Sequence, residues 1–143
     1  MKVLKFGGTS VGSVDSIQRV KQIIERYLQE NQQVAVVVSA QSGITNMLES
    51  MGALAAQNDE SYKVTFQKME DTLFTIIRTL LQVERQSKAL AEVKMMLNNL
   101  EDILQGVFLL REFSPRIRDL ALSFGERCSA YIIATYFSQE GIA

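Results

Sequence analysis

The chain has 143 residues, 47% hydrophobic and 22% charged, with 15 lysines and arginines against 16 aspartates and glutamates and a net charge of -1. That balance suits one globular domain with a sizeable core and offers no basic footprint for nucleic acid. No apolar stretch approaches the roughly 18 residues of a membrane span and the start carries no signal-peptide pattern, so a cytoplasmic protein without a membrane or nucleic-acid partner is expected. With no histidine and a single cysteine, Cys128, the chain excludes imidazole-assisted nucleophiles, histidine-ligated zinc, internal disulfides and cysteine metal clusters. Lysine, carboxylates, hydroxyls and backbone amides remain, an inventory that suits phosphoryl transfer.

The first element is a short apolar strand over residues 3–6 that runs into Gly7, Gly8, Thr9 and Ser10, and then through Val11, Gly12 and Ser13 into a helix. Glycines at such a turn let peptide N–H groups point together at one cluster of oxygens, and the helix start adds its positive end. Lys5, at the carboxyl edge of the strand, would supply a full charge to a phosphate or carboxylate. The same Gly-Gly also fits a plain tight turn between strand and helix. The glycine spacing matches neither a Walker A loop nor G-x-G-x-x-G.

Residues 13–31 carry Val14, Ile17, Val20, Ile24 and Tyr27 at helical spacing, with Asp15 in the first turn. Val34–Val38 follows as an unbroken apolar run, the pattern of a parallel strand covered on both faces. Strand, helix and strand make a βαβ unit, in which ligands collect at the carboxyl ends of the strands, here beside Lys5 and Ser39. A loop of small residues from Ser39 to Gly43 then leads through Ile44, Thr45 and Asn46 into a helix bearing Leu48, Met51, Leu54 and Ala55. Two readings fit Ser39 and Thr45: hydroxyls that cap this helix, or hydroxyls that face the crevice shared with Lys5.

Residues 58–111 read as two long helices, with Met69, Leu73, Ile76, Ile77 and Leu80 on the first and Leu90, Val93, Leu97, Leu100, Leu104 and Val107 on the second. The break is expected near Gln86 and Ser87. The second stripe is too short for a coiled coil, so two antiparallel helices packed on the sheet unit are expected, their stripes serving as core. Ser114-Pro115 marks the next helix start, a serine cap with proline at the first helical position. Ile117, Leu120, Phe124 and Tyr131 continue this helix toward a glycine stop at Gly141. Within it, Ser123 and Glu126 fit a capping box at a local restart, whereas a carboxylate beside Gly125 also fits a ligand site. Cys128 reads as a small buried hydrophobe.

Three strings, K-F-G-G-T-S-V at residues 5–11, V-V-V-S-A with G-I-T-N at 36–40 and 43–46, and G-E-R-x-S at 125–129, resemble in order the signatures of the aspartokinases, in the amino acid kinase superfamily. L-Q-G-V-F-L-L-R-E at residues 104–112 is similar to the bifunctional aspartokinase–homoserine dehydrogenases. The resemblance implies an α/β fold of three-layer α-β-α type, here a partial parallel sheet with a helical insert. The chain would be the N-terminal part of one kinase domain: a phosphate and aspartate unit over 1–58, the insert over 59–113 and the G-E-R-x-S helix over 114–143. The nucleotide-binding half and the ACT domains come later in such proteins, so this stretch alone is expected to be inactive.

The implied reaction is ATP-dependent phosphorylation of the β-carboxylate of L-aspartate to 4-phospho-L-aspartate, the first step toward lysine, threonine and methionine. Lys5 would be the catalytic cation, Lys5, Gly7, Gly8, Thr9 and Ser10 would hold phosphate of ATP, and Ser39, Thr45 and Glu126 would hold aspartate, Glu126 at its α-ammonium group. ATP and Mg²⁺ are the implied cofactors, with most Mg²⁺ contacts outside this stretch and no metal ligand assigned within it; a homo-oligomer is implied for the full-length protein. Two rivals stand beside this reading. Another amino acid kinase acting on a different carboxylate would share the strand, glycine turn and serine, though G-I-T-N and G-E-R-x-S favour aspartate. A non-catalytic ligand-binding or assembly module would instead use the helical pair as an interface.

Overall fold

The computed structural model describes residues 1–142, in the order β1 (Lys2–Phe6), α1 (Val14–Gln29), β2 (Val34–Val38), α2 (Ile44–Ala56), α3 (Tyr62–Leu80), α4 (Val83–Leu110) and α5 (Pro115–Gln139). β1 and β2 pair in parallel, with Lys2 opposite Val34, Lys5 opposite Val37 and Phe6 opposite Val38. Strand residues alternate in direction. Leu4, Phe6, Val36 and Val38 therefore turn together into the core, under α1 and α5, whose Ile24, Leu28, Ala134 and Phe137 line a cleft with Val34 and Val36. Val3 and Val37 on the opposite face remain 65% and 45% exposed. The apolar run of β2 is thus covered by these helices on one face, where cover on both was expected.

α1 begins with a reciprocal cap: the Ser16 N–H donates to Ser13 Oγ at 3.2 Å and the Ser13 N–H donates to Ser16 Oγ at 2.9 Å. Its stripe of Ile17, Val20 and Ile24 is buried as the spacing predicts. The other end of this layer is tied by Lys21 of α1 and Glu140, the C-cap of α5, whose Nζ and Oε2 lie 2.5 Å apart. The hydrogen bond holds the Glu140 carboxyl below its ordinary range and the Lys21 ammonium above its own. Gly141 stops α5 as expected: at φ +80° it lets the Ile142 N–H reach Phe137 O at 2.9 Å and its own N–H reach Ser138 O at 3.3 Å.

α3 and α4 form the expected helical pair, but the break falls at Leu81 and Gln82, and Gln86 and Ser87 lie inside α4. The cause is side-chain capping. Gln86 Nε2 donates to the carbonyls of Arg78 and Leu81 at 3.1 and 2.9 Å, which satisfies the end of α3 from within the next helix. Lys94 pairs with Glu70 at 2.6 Å and Tyr62 packs on Phe108 at 5.9 Å between ring centres, contacts that run antiparallel along the two helices. Val93, Leu97, Leu100, Leu104 and Val107 are buried, so the stripe of α4 is core. This pair stacks on α2, and α2 in turn packs on α5.

At Gly52 of α2 an added Cβ would lie 2.1 Å from Phe113 Cζ. Gly52→Ala is expected to lower stability by about 1–3 kcal/mol through this overpacking, read as a fall in thermal midpoint by circular dichroism; an unchanged midpoint contradicts the contact. Lys21→Met tests the tie between α1 and α5. Because the Glu140 carboxyl is held low, its contribution is present above the ordinary carboxylate range and lost as pH falls through the lowered value. The stability gap between wild type and variant should therefore hold at neutral pH and close in acid; a gap that persists in acid contradicts this.

Candidate active site

The parallel register sets the first part of the site. Lys5 pairs with Val37 at the carboxyl end of the two strands, and the Ser39 N–H continues the ladder by donating to Phe6 O at 3.1 Å. Lys5 alternates with Leu4 and Phe6 and so emerges on the exposed face of the sheet. Beyond it the Ser10 N–H closes a turn on Gly7 O at 3.0 Å. A Cβ at Gly7 would meet nothing within 4 Å, so the backbone there is open to an incoming anion. α1 contributes less than its N-terminus suggested, since Ser13 already occupies the Ser16 N–H.

The three motif strings meet at one residue. A Cβ on Gly8 would lie 3.0 Å from the carbonyl oxygen of Ala40, and a Cβ on Gly125 would lie 2.9 Å from the methyl of Ala40 and 3.2 Å from Leu48 Cδ1. Gly12 is equally confined, its added Cβ 2.9 Å from both Gly8 O and Ser42 Cβ. Ala40 is 2% exposed at this junction. The glycine turn, the S-A-Q-S-G loop and the middle of α5 are therefore packed to the limit of backbone approach, which brings Gly8, Ser39 and Glu126 to one end of the molecule although they are distant in sequence.

The competing readings of the polar residues now separate. α2 is capped by Gly43 at φ +86° with no side-chain cap bond, so neither Ser39 nor Thr45, the second residue of the helix, serves as its cap. α5 runs without interruption from Pro115 to Gln139, and Ser123 Oγ donates to Leu120 O at 2.6 Å, so no capping box forms at Ser123 and Glu126. Ser114 does cap α5, accepting from the Ile117 N–H. Lys5, Thr9, Thr45 and Glu126 are exposed, whereas Ser10 and Ser39 are half-buried. Arg127, next to Glu126, lies over the Phe124 ring at 4.5 Å. Cys128 is buried, which pushes its thiol up to about 11 and leaves it protonated and unreactive at neutral pH.

Three features were not singled out in the sequence. Thr9 and Ser10 share a cleft of about 360 Å³ with Ser16 and Arg19, which adds a guanidinium to the α1 side of the glycine turn. Gln41 is 2% exposed and neither atom of its side-chain amide bonds to another protein group. Glu49 of α2 pairs with Arg118 of α5. Helical spacing from Thr45 could have pointed to Glu49, but nothing local marks its partner. Among the described residues no three His, Cys, Asp or Glu side chains converge as metal ligands.

The profile of the amino acid kinase family matches residues 1–143. The chain is 33% identical over 143 residues to a bifunctional aspartokinase/homoserine dehydrogenase of Buchnera aphidicola, covering 98% of this chain and 17% of that protein. It is 32% identical to the chloroplastic aspartokinase 3 of Arabidopsis thaliana, covering 97% and 24% of the two chains, and 30% identical to an aspartokinase of Candida albicans, covering 98% and 26%. Among solved structures it resembles Escherichia coli aspartokinase III in complex with lysine and aspartate, with a TM-score of 0.82, 25% identity and coverage of 100% of this chain and 30% of that one. The same enzyme in complex with aspartate and ADP gives a TM-score of 0.80 at 26% identity, covering 99% and 29%. The chain thus spans 17 to 26% of the length of these three relatives, and within that span its fold, its three strings and the profile agree: it belongs to the amino acid kinase family.

Proposed function

We propose that this chain is the N-terminal part of the kinase domain of an aspartate kinase, which phosphorylates the β-carboxylate of L-aspartate to 4-phospho-L-aspartate at the head of the lysine, threonine and methionine pathway. The observation that carries this reading is the junction at Ala40, where the strings bearing Lys5, Ser39 and Glu126 are packed against one another. The similarity to aspartokinases along nearly the whole chain, and to one solved with aspartate and ADP, supports it. Residues 1–58 would supply the phosphate and aspartate unit, 59–113 the helical insert and 114–143 the helix carrying Glu126. The buried stripe of α4 argues against the rival in which the helical pair serves chiefly as an assembly surface.

The chemistry suits these residues. An aspartate β-carboxylate, with an ordinary pKa of about 3.9, is already ionised at neutral pH and needs no general base. The obstacle is the approach of one anion to another. Lys5 and the amides of Gly7 and Gly8 offset that repulsion and stabilise charge on the phosphoryl group as it passes to the carboxylate oxygen. Thr45 and Glu126 orient the amino acid, the Glu126 carboxylate accepting from its α-ammonium group. Ser39 and Thr9 donate hydrogen bonds near the acceptor and the phosphate, and Ser10 lines the same turn.

ATP would supply the phosphoryl group, and the exposed Lys5 with the open backbone at Gly7 fits its phosphates. Among the described residues no three His, Cys, Asp or Glu side chains converge as a metal cage, so Mg²⁺ would be held chiefly through the ATP phosphates and residues beyond this stretch. Most of its ligands are assigned to other parts of the full-length gene product, which is read as a homo-oligomer.

In the full-length gene product, Lys5→Ala is expected to lower kcat by about 100-fold or more, as for loss of one preorganised charge-stabilising group. A near-normal kcat would remove Lys5 from the mechanism. Glu126→Gln is expected to raise KM for aspartate while sparing KM for ATP. A lowered melting temperature with both constants unchanged would assign Glu126 a purely structural role.

A further inference from the structure

Three contacts along the α2–α5 interface follow an antiparallel order. Gly125 seats against Ile44 and Leu48, Arg118 pairs with Glu49, and Phe113, just ahead of α5, covers Gly52. The first and last are apolar and, with the packing of α3 and α4 on the other side of α2, set the separation of the two helices. The ion pair is the directional one, a guanidinium Nη2 on a carboxylate Oε1. Glu49 stands one turn from Thr45 on the same side of α2. Arg118 stands two turns from Gly125 on the side of α5 that meets α2, and Glu126 follows Gly125.

We propose that the Glu49–Arg118 pair is a positioning device for the amino-acid substrate: within the packed α2–α5 contact it sets the fine register of the two polar faces, and with it the separation between the Thr45 hydroxyl and the Glu126 carboxylate. This rests on the aspartate reading of Thr45 and Glu126. Both partners are 43% exposed, and pairs at that exposure contribute little to folding, so either side chain can be removed without unfolding the protein. Pairing also neutralises Glu49, whose charge would otherwise stand one turn from Thr45 and repel the carboxylates of aspartate. Asp119 Oδ1, on the same helix, also lies 3.7 Å from Arg118 Nη1.

The test is steady-state kinetics of the full-length gene product with Glu49→Ala, Arg118→Ala, Arg118→Lys and the charge swap Glu49→Arg with Arg118→Glu. Each alanine variant is expected to raise KM for aspartate about three- to fivefold, with KM for ATP and the melting temperature nearly unchanged. Arg118→Lys should fall between the alanine variant and wild type, and the swap should return KM to within about twofold of wild type. Alanine variants that lower the melting temperature with KM unmoved, or a swap that fails to restore KM, overturn the positioning role while leaving the function intact. A wild-type protein that does not turn over aspartate overturns the function and this role with it.

Discussion

The junction at Ala40 is the constraint on which the rest of the molecule depends. A Cβ at residue 8 would crowd the Ala40 carbonyl oxygen at 3.0 Å and one at residue 125 would crowd the Ala40 methyl at 2.9 Å, so two glycines distant in sequence pack closely on one small residue between them. Interiors pack at crystal-like density and respond to a single added carbon. The glycine turn therefore cannot drift from the serine loop, nor the loop from α5. In the proposed reaction, such rigidity would mean that the stabilising groups need no rearrangement as the charge moves.

The elements around the junction exist largely to hold it. Two parallel strands are too few to be stable alone, and β1 and β2 persist because α1 and α5 cover their inner face and the Lys21–Glu140 pair closes that layer. The α3 and α4 pair carries no chemistry of its own, yet it buries α2 from the other side with an unbroken stripe from Val93 to Val107. α2 is thus gripped between a hydrophobic hairpin and α5, and its first turn, with Thr45, has a fixed place relative to Glu126. The exposed outer face of the sheet, with Val3, Lys5 and Val37, is the side on which Lys5 stays accessible.

Much of this was legible in the sequence where the cause is local. The βαβ unit, the burial of Ile17, Val20 and Ile24, the Ser114-Pro115 start and the Gly141 stop follow from periodicity and capping chemistry, and the structure carries each of them. The break between α3 and α4 was misplaced because Gln86 caps the preceding helix from inside the next one, a role that its position near the break suggests but does not fix. The capping box at Ser123 and Glu126 matched a local pattern that lost to the packing of one continuous helix, through the contact of Gly125 with Ala40. Glu49 and Arg118 stand 69 residues apart, and no periodicity links them. The long-range contacts that assemble the site were visible only as three separate strings.

The most direct measurement is trapping of acyl phosphate with hydroxylamine by the full-length gene product, offered aspartate, glutamate and N-acetylglutamate in parallel, with the 143-residue chain assayed alongside. Turnover confined to aspartate, and none from the short chain, is the predicted result. Preference for either other acceptor would leave the phosphate-binding βαβ unit standing and contradict the assignment of Ser39, Thr45 and Glu126 to aspartate.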